Sequence, residues 1–293
     1  MTTAVFITND KIQVAQGGMK GKTLTVKRFF QEPLEEGAMI NGIITNDYAV
    51  KESVKRMWKK YELPNKKITL IVQGRGVSTK LINTPKLNEN RMLSFVKGEF
   101  SDNENYQDMV FDYSVRERSS ENGGAVVLAC MAEPDFLKSY TDIFGSLDIK
   151  LEKIDIALNC QLKLSDKISE FKNKTFIICL ADRNTVSMTL FVNGKYSFSN
   201  SSRLNADRNS PDLADDVGRL VSSIIQFNKS EKNGFDITDV YFGGFDDGEY
   251  QPLAVIGSAF GINAQKFTAG KAVKFEKGNN SAADCVCILG GLI

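Results

Sequence analysis

No histidine occurs in this 293-residue chain. That absence removes the commonest general base, the Ser-His-Asp and Cys-His nucleophile systems, and the commonest metal ligand. Cysteine is scarce, with five residues spread through apolar segments; an odd number in such places excludes a secreted disulfide framework and reads as reduced core thiols. Cys285 and Cys287 form a C-x-C pair that alternation places on one face of a strand ending Ile288-Leu289, as packing groups and not metal ligands. A surplus of charge is also missing, since 37 Lys and Arg face 36 Asp and Glu, and a field so close to neutral asks for no nucleic acid. Long apolar runs are lacking: Ala125 to Ala132 falls far short of the roughly 20 residues that cross a bilayer. The amino terminus has neither the basic start nor the apolar stretch of a signal peptide. The expected location is therefore the cytoplasm, without direct membrane insertion. No Walker-type phosphate loop and no paired-carboxylate glycosidase signature is present.

What is present is a pattern that occurs twice. The first copy opens with Ala4 to Ile7, turns at Thr8-Asn9-Asp10, returns through Ile12 to Ala15 and Leu24 to Val26, and reaches a helix near Tyr48 to Tyr61. The second opens with Thr175 to Leu180, turns at Ala181 to Asn184, returns through Val186 to Val192 and Tyr196 to Ser199, and reaches a helix near Asp212 to Gln226. Thr45 or Asn46 caps the first helix, which buries Val50, Val54, Met57 and Trp58 at spacings of three and four. Between the copies the pattern changes to strand, helix, strand, strand, helix. There Val77 to Asn83 is a strand and Asn88 to Phe100 a helix with Leu93, Val96 and Phe100 inward. Met109 to Val115 and Ala125 to Met131 are strands, and Glu133-Pro134-Asp135 starts a second helix. Ser119 to Gly124 reads as a polar, mobile hairpin tip, and Leu253 to Phe260 as a helix.

Two such units facing each other are how a nucleotide clamp is built, and its turns need backbone N–H groups aimed at phosphates, with glycine allowing close approach. Neither turn has that glycine. Asp10 and Asp182 are candidate metal-facing carboxylates; Thr8, Asn9, Asn184 and Thr185 are candidate phosphate partners. The preferred reading is that these Asx and threonine residues stabilise tight turns through their own side chains. Gly243-Gly244, after the buried strand Val240 to Phe242, serves equally as a binding remnant or as a tight strand-to-helix turn. No catalytic residue and no metal ligand is assigned.

The order of these segments resembles the type IV pilus assembly protein PilM family, FtsA-related members of the actin-like ATPase superfamily. The resemblance rests on Leu34 and Gly37 to Ile44, Ile82 to Leu87, Gly98-Glu99-Phe100, Phe111-Asp112-Tyr113, Val126 to Ala129, Leu151 to Asp155 and Ile288 to Leu292. It implies an α/β, actin-like (ribonuclease H-like) duplicated core with a small inserted α+β subdomain. Residues 1–74 and 150–172 would form the first subdomain, 75–149 the insertion and 173–293 the second subdomain. It also implies a cytoplasmic scaffold at the inner face of the cell membrane, docking the cytoplasmic tail of a PilN-like inner-membrane protein in the groove between the first subdomain and the insertion. Where the family's first phosphate motif has aspartate and glycine, this chain carries Phe6 and Thr8; the second motif has Cys179 and Ala181, with Thr185 kept and Gly243 and Gly244 matching the adenosine side. The expectation is no cofactor or a vestigial ATP/Mg. The alternatives are an active Mg-ATP-binding ATPase of pilus assembly, using Asp10, Asp182, Thr185, Gly243 and Gly244, or an FtsA-like division protein. Homo-oligomerisation stays open.

Overall fold

The computed structural model describes residues 1–118, 123–278 and 280–293. The first unit runs β1 (Thr2–Ile7), β2 (Lys11–Lys20), β3 (Thr23–Pro33), a hairpin of β4 (Met39–Ile40) and β5 (Ile43–Ile44), α1 (Asp47–Tyr61) and β6 (Ile68–Val72). Then come β7 (Val77–Thr84), α2 (Glu89–Gly98), β8 (Val110–Arg118), β9 (Ala125–Ala132) and α3 (Pro134–Ser146), followed by β10 (Leu151–Ile156) and α4 (Ala157–Ser165). The second unit comprises β11 (Phe176–Asp182), β12 (Thr185–Val192), β13 (Lys195–Arg203), α5 (Leu213–Ser230), β14 (Asp239–Gly243), α6 (Tyr250–Leu253), α7 (Val255–Phe260) and β15 (Asn263–Lys266). The chain closes with β16 (Val273–Phe275) and α8 (Val286–Gly290). The hairpin tip expected at 119–124 lies, for residues 119–122, outside the described residues.

The two large sheets repeat one topology. In the first, ordered β10-β6-β1-β2-β3-β16, the antiparallel β1-β2-β3 meander is extended by parallel β6 and β10. In the second, ordered β13-β12-β11-β14-β15, an antiparallel meander is likewise extended by parallel β14 and β15. β16 falls within 173–293 yet pairs with β3 of the first sheet.

Strand alternation sorts the side chains into three cores. Val5 and Ile7 point outward to α1 and α3, meeting Val50, Val54, Met57, Tyr140 and Phe144. Asn46 caps α1, its Oδ1 accepting the Ala49 N–H at 3.1 Å. Ile177, Cys179 and Ala181 point outward to α5, against Val217, Val221 and Ile224. The inward residues Ala4, Phe6, Ile178 and Phe176 share a central core with α4 and α8. Those two helices cross closely enough that a Cβ on Gly290 would lie 1.8 Å from the Cys160 carbonyl oxygen.

Three local readings need correction. Cys285 and Cys287 are not on a strand: Val286–Gly290 is a short helix, and both thiols are buried and free. A short apolar run bounded by turns cannot be told from a buried helical turn by periodicity. In α2 the inward stripe is Met92 and Val96, continued by Phe100, while Leu93 is 44% exposed. Leu253 to Phe260 is split between α6 and α7. Among the described residues, no helix is long and apolar enough to cross a membrane.

Candidate functional site

Register makes the two turns equivalent. Ile7 pairs with Ile12, and the Thr8 N–H donates to the Lys11 carbonyl at 2.9 Å, leaving Asn9-Asp10 as the two-residue tip. Asp182 pairs with Thr185 around the tip Arg183-Asn184. Thr8 therefore corresponds to Asp182 and Phe6 to Leu180. Both turn strands present an apolar residue to the cleft, one from each unit. Leu180, Ala181 and Asp182 of β11 line the cleft, whereas Cys179, expected there from the family motif, is buried against α5.

The first turn is satisfied locally. Thr8 Oγ1 donates to Asp10 Oδ1 at 2.8 Å and accepts the Lys11 N–H at 3.2 Å, the side-chain-to-backbone closure that favours Thr and Asp in turns. Asp10 also lies 3.7 Å from Lys11 Nζ. Asp182 instead reaches across to the first unit. Its Oδ1 accepts the Asn9 backbone N–H at 2.9 Å, and its Oδ2 accepts Asn9 Nδ2 at 2.8 Å and Gln73 Nε2 at 2.6 Å. Burial and the neighbouring Asp10 charge push Asp182 up to about 6, against the Asn9 N–H and Lys11, which pull it down. Asn9 Oδ1 in turn accepts the Gly42 N–H at 3.1 Å, and the Gly42 carbonyl accepts the Tyr140 hydroxyl at 2.5 Å.

These groups border a cavity of about 610 Å³ that continues past the end of β6 and the start of α4 to the β12–β13 face. Of the sequence candidates, Thr8, Asn9, Asp182, Thr185 and Gly244 line it, whereas Asp10, Asn184 and Gly243 do not. Asn184 uses its carbonyl to accept the Leu204 N–H at 2.8 Å. The glycine pair is explained by packing. A Cβ on Gly243 would lie 2.7 Å from the Ala283 carbonyl oxygen; Gly244 has φ +73 and a Cβ there would lie 2.2 Å from the Ala181 carbonyl oxygen. The Gly244 N–H is already donated to Ala283, at 2.9 Å.

Other groups at the site were not singled out in the sequence. Gln73 follows β6, at the carboxyl end of a parallel strand where ligands gather, and that position was its one available signal. Gln161 is 3% exposed; its Oε1 accepts from Thr189 at 3.2 Å while its Nε2 has no partner. Arg208 braces the second turn, donating to the Arg183 carbonyl at 3.1 Å and to Glu249 Oε1 at 2.8 Å. Among the described residues, no three His, Cys, Asp or Glu side chains gather into a metal-holding group.

A family model described as type IV pilus assembly protein PilM matches residues 5–204, more than half of the chain. The chain belongs to the PilM family. A solved structure of the PilM–PilN type IV pilus biogenesis complex is similar at a TM-score of 0.79 and 13% identity, over 99% of this chain and 97% of that one. A Bacteroides thetaiotaomicron protein with an actin-like ATPase fold and unknown function is similar at a TM-score of 0.56 and 9% identity, over 99% of this chain and 95% of that one. The ethanolamine utilization protein EutJ of Carboxydothermus hydrogenoformans follows at 0.50 and 9%, over 99% and 88%. The fold is thus actin-like, and the α/β duplicated core anticipated from the sequence is the one found. No curated protein matches the chain by sequence.

Proposed function

We propose that this PilM-family protein is a non-catalytic, cytoplasmic scaffold of a type IV pilus or related secretion-type assembly machine. It docks the cytoplasmic tail of a PilN-like inner-membrane protein and so sits at the inner face of the membrane. The observation that carries the non-catalytic part is the pair Phe6 and Leu180, which face the cleft from the two turn strands. Phosphoryl transfer depends on positioning and on charge compensation around a metal, and two apolar side chains supply neither. Any ATP/Mg held there would be vestigial. Family membership supports a role in pilus assembly, and the partner in the similar PilM–PilN complex supports the choice of partner.

The docking groove in this reading lies between the β7-β9-β8 sheet and β10. One face of that sheet is covered by α2 through Ile82, Val127, Ala129 and Met131. The opposite face carries Leu81, 38% exposed, together with Cys130. Leu128, opposite Leu81 on this same face, packs with Ala157, Cys160 and Leu162 of α4, so the face looks toward the helix that follows β10. β10 is an edge strand and Leu81 is exposed, so an extended tail would find main-chain partners and an apolar contact there. Affinity capture of the tagged full chain from its native cells, read by mass spectrometry, is expected to recover a single-span pilus or secretion component, and Leu81→Arg to lose it. Recovery of no membrane-anchored component contradicts the reading.

A further inference from the structure

The two turns share a backbone plan but differ at one equivalent position. In the first turn the Thr8 hydroxyl donates to Asp10 and accepts the Lys11 N–H. Asp182 sends its carboxylate into the opposite turn. There it meets a backbone N–H and a side-chain amide of Asn9 and the amide of Gln73, at 2.9, 2.8 and 2.6 Å. Convergent N–H donors that include a turn amide, with a cation beside them, are the elements of an oxyanion site. Lys11, which lines the same cavity and lies 3.7 Å from Asp10, is the cation beside them.

We propose that Asn9 and Gln73 form an oxyanion site already occupied by the chain's own Asp182, which ties the two units together without a ligand. This step rests on the reading of the cleft as non-catalytic and adds what fills it. The donors belong to the first unit and the carboxylate to the second, so occupancy and closure are one event. Asn9 extends the tie, because its Oδ1 accepts the Gly42 N–H while the Gly42 carbonyl accepts the Tyr140 hydroxyl of α3. A Cβ on Gly42 would lie 1.8 Å from the Gln73 carbonyl oxygen, so the hairpin packs directly on the end of β6. The closed cleft is thereby connected to the helix that follows the β7-β9-β8 sheet.

An emptied site tests this directly. Asp182→Ala removes the carboxylate and leaves all three donors. Sodium acetate or inorganic phosphate, at matched ionic strength against chloride, is expected to raise the melting temperature of this variant saturably and to leave the wild type unchanged. The same anions should restore amide exchange protection at Asn9 and Gly42, which the variant loses by roughly tenfold. An equal anion response in both proteins, or none in the variant, overturns the proposal. Should Asp182→Ala not fold, Asp182→Asn keeps the shape but turns an amide donor toward other donors. Faster exchange at Asn9 and Gly42, with core strand β1 unchanged, supports the tie, and unchanged rates overturn it. Partner capture read on the same variants separates the two ideas. Capture without an anion response sinks the occupied site alone, and an anion response without capture sinks the scaffold alone.

Discussion

Asp182 makes the cleft sensitive to pH in a direction that follows from its neighbours. Asp10 and Lys11 of the first turn, Tyr140 of α3 and Cys287 of α8 are the titratable groups whose charges couple to it. Its folded pKa of about 6 lies above the ordinary 3.8 because burial and the Asp10 charge outweigh the N–H donors around it, so the native state keeps the proton longer than the unfolded chain and the anionic tie is complete only above about 6. The associated stability is fully present below about 3.8 and is lost as pH rises through about 6. Asp182→Asn cannot ionise, so the wild-type melting temperature is expected to fall relative to the variant across that window; parallel profiles would contradict the assignment. Arg208 gives a second residue-scale test. Glu249 is 2% exposed and draws on the Arg208 guanidinium. Arg208→Ala leaves that carboxylate buried without its cation, for an expected loss of about 3 kcal/mol in urea unfolding. The double variant with Glu249→Gln should lose less than the sum. Asp182 and Asn9 could be picked from the sequence as turn residues, but their partnership could not. Their separation of 173 positions is bridged only when the two units face each other.

Helix α2 shows how a correct element can carry a wrong face. Leu93, Val96 and Phe100 fit a helical stripe, yet so do Met92, Val96 and Phe100, and the buried set is the second. Met92→Ala is therefore expected to destabilise by about 2 kcal/mol, whereas Leu93→Ala should change stability by no more than about 0.5 kcal/mol. The reverse order in chemical denaturation would reinstate the first stripe. Periodicity located α1, α3, α5 and most strands because each has one strongly apolar face over enough residues to distinguish periods of 2 and 3.6. β15 and β16 went unseen: at four and three residues they are defined by the strands they join, not by any pattern of their own. α8 was misread for a related reason, since nearly all of it is buried and no polar face marks its period.

For the whole molecule, the duplication was visible in the sequence because both meanders and both following helices keep their order. The chemistry was visible only as an absence of turn glycines. The structure converts that absence into positive statements: Phe6 and Leu180 face the cleft, and Asp182 spans it. In the proposed reading, the Asp182 tie keeps the two units of the actin-like frame in register without a bound nucleotide, as a scaffold would require. Isothermal titration of the protein with Mg-ATP tests this most directly. The account predicts no binding heat up to millimolar nucleotide; saturable binding in the micromolar range, with phosphate released on incubation, would contradict it.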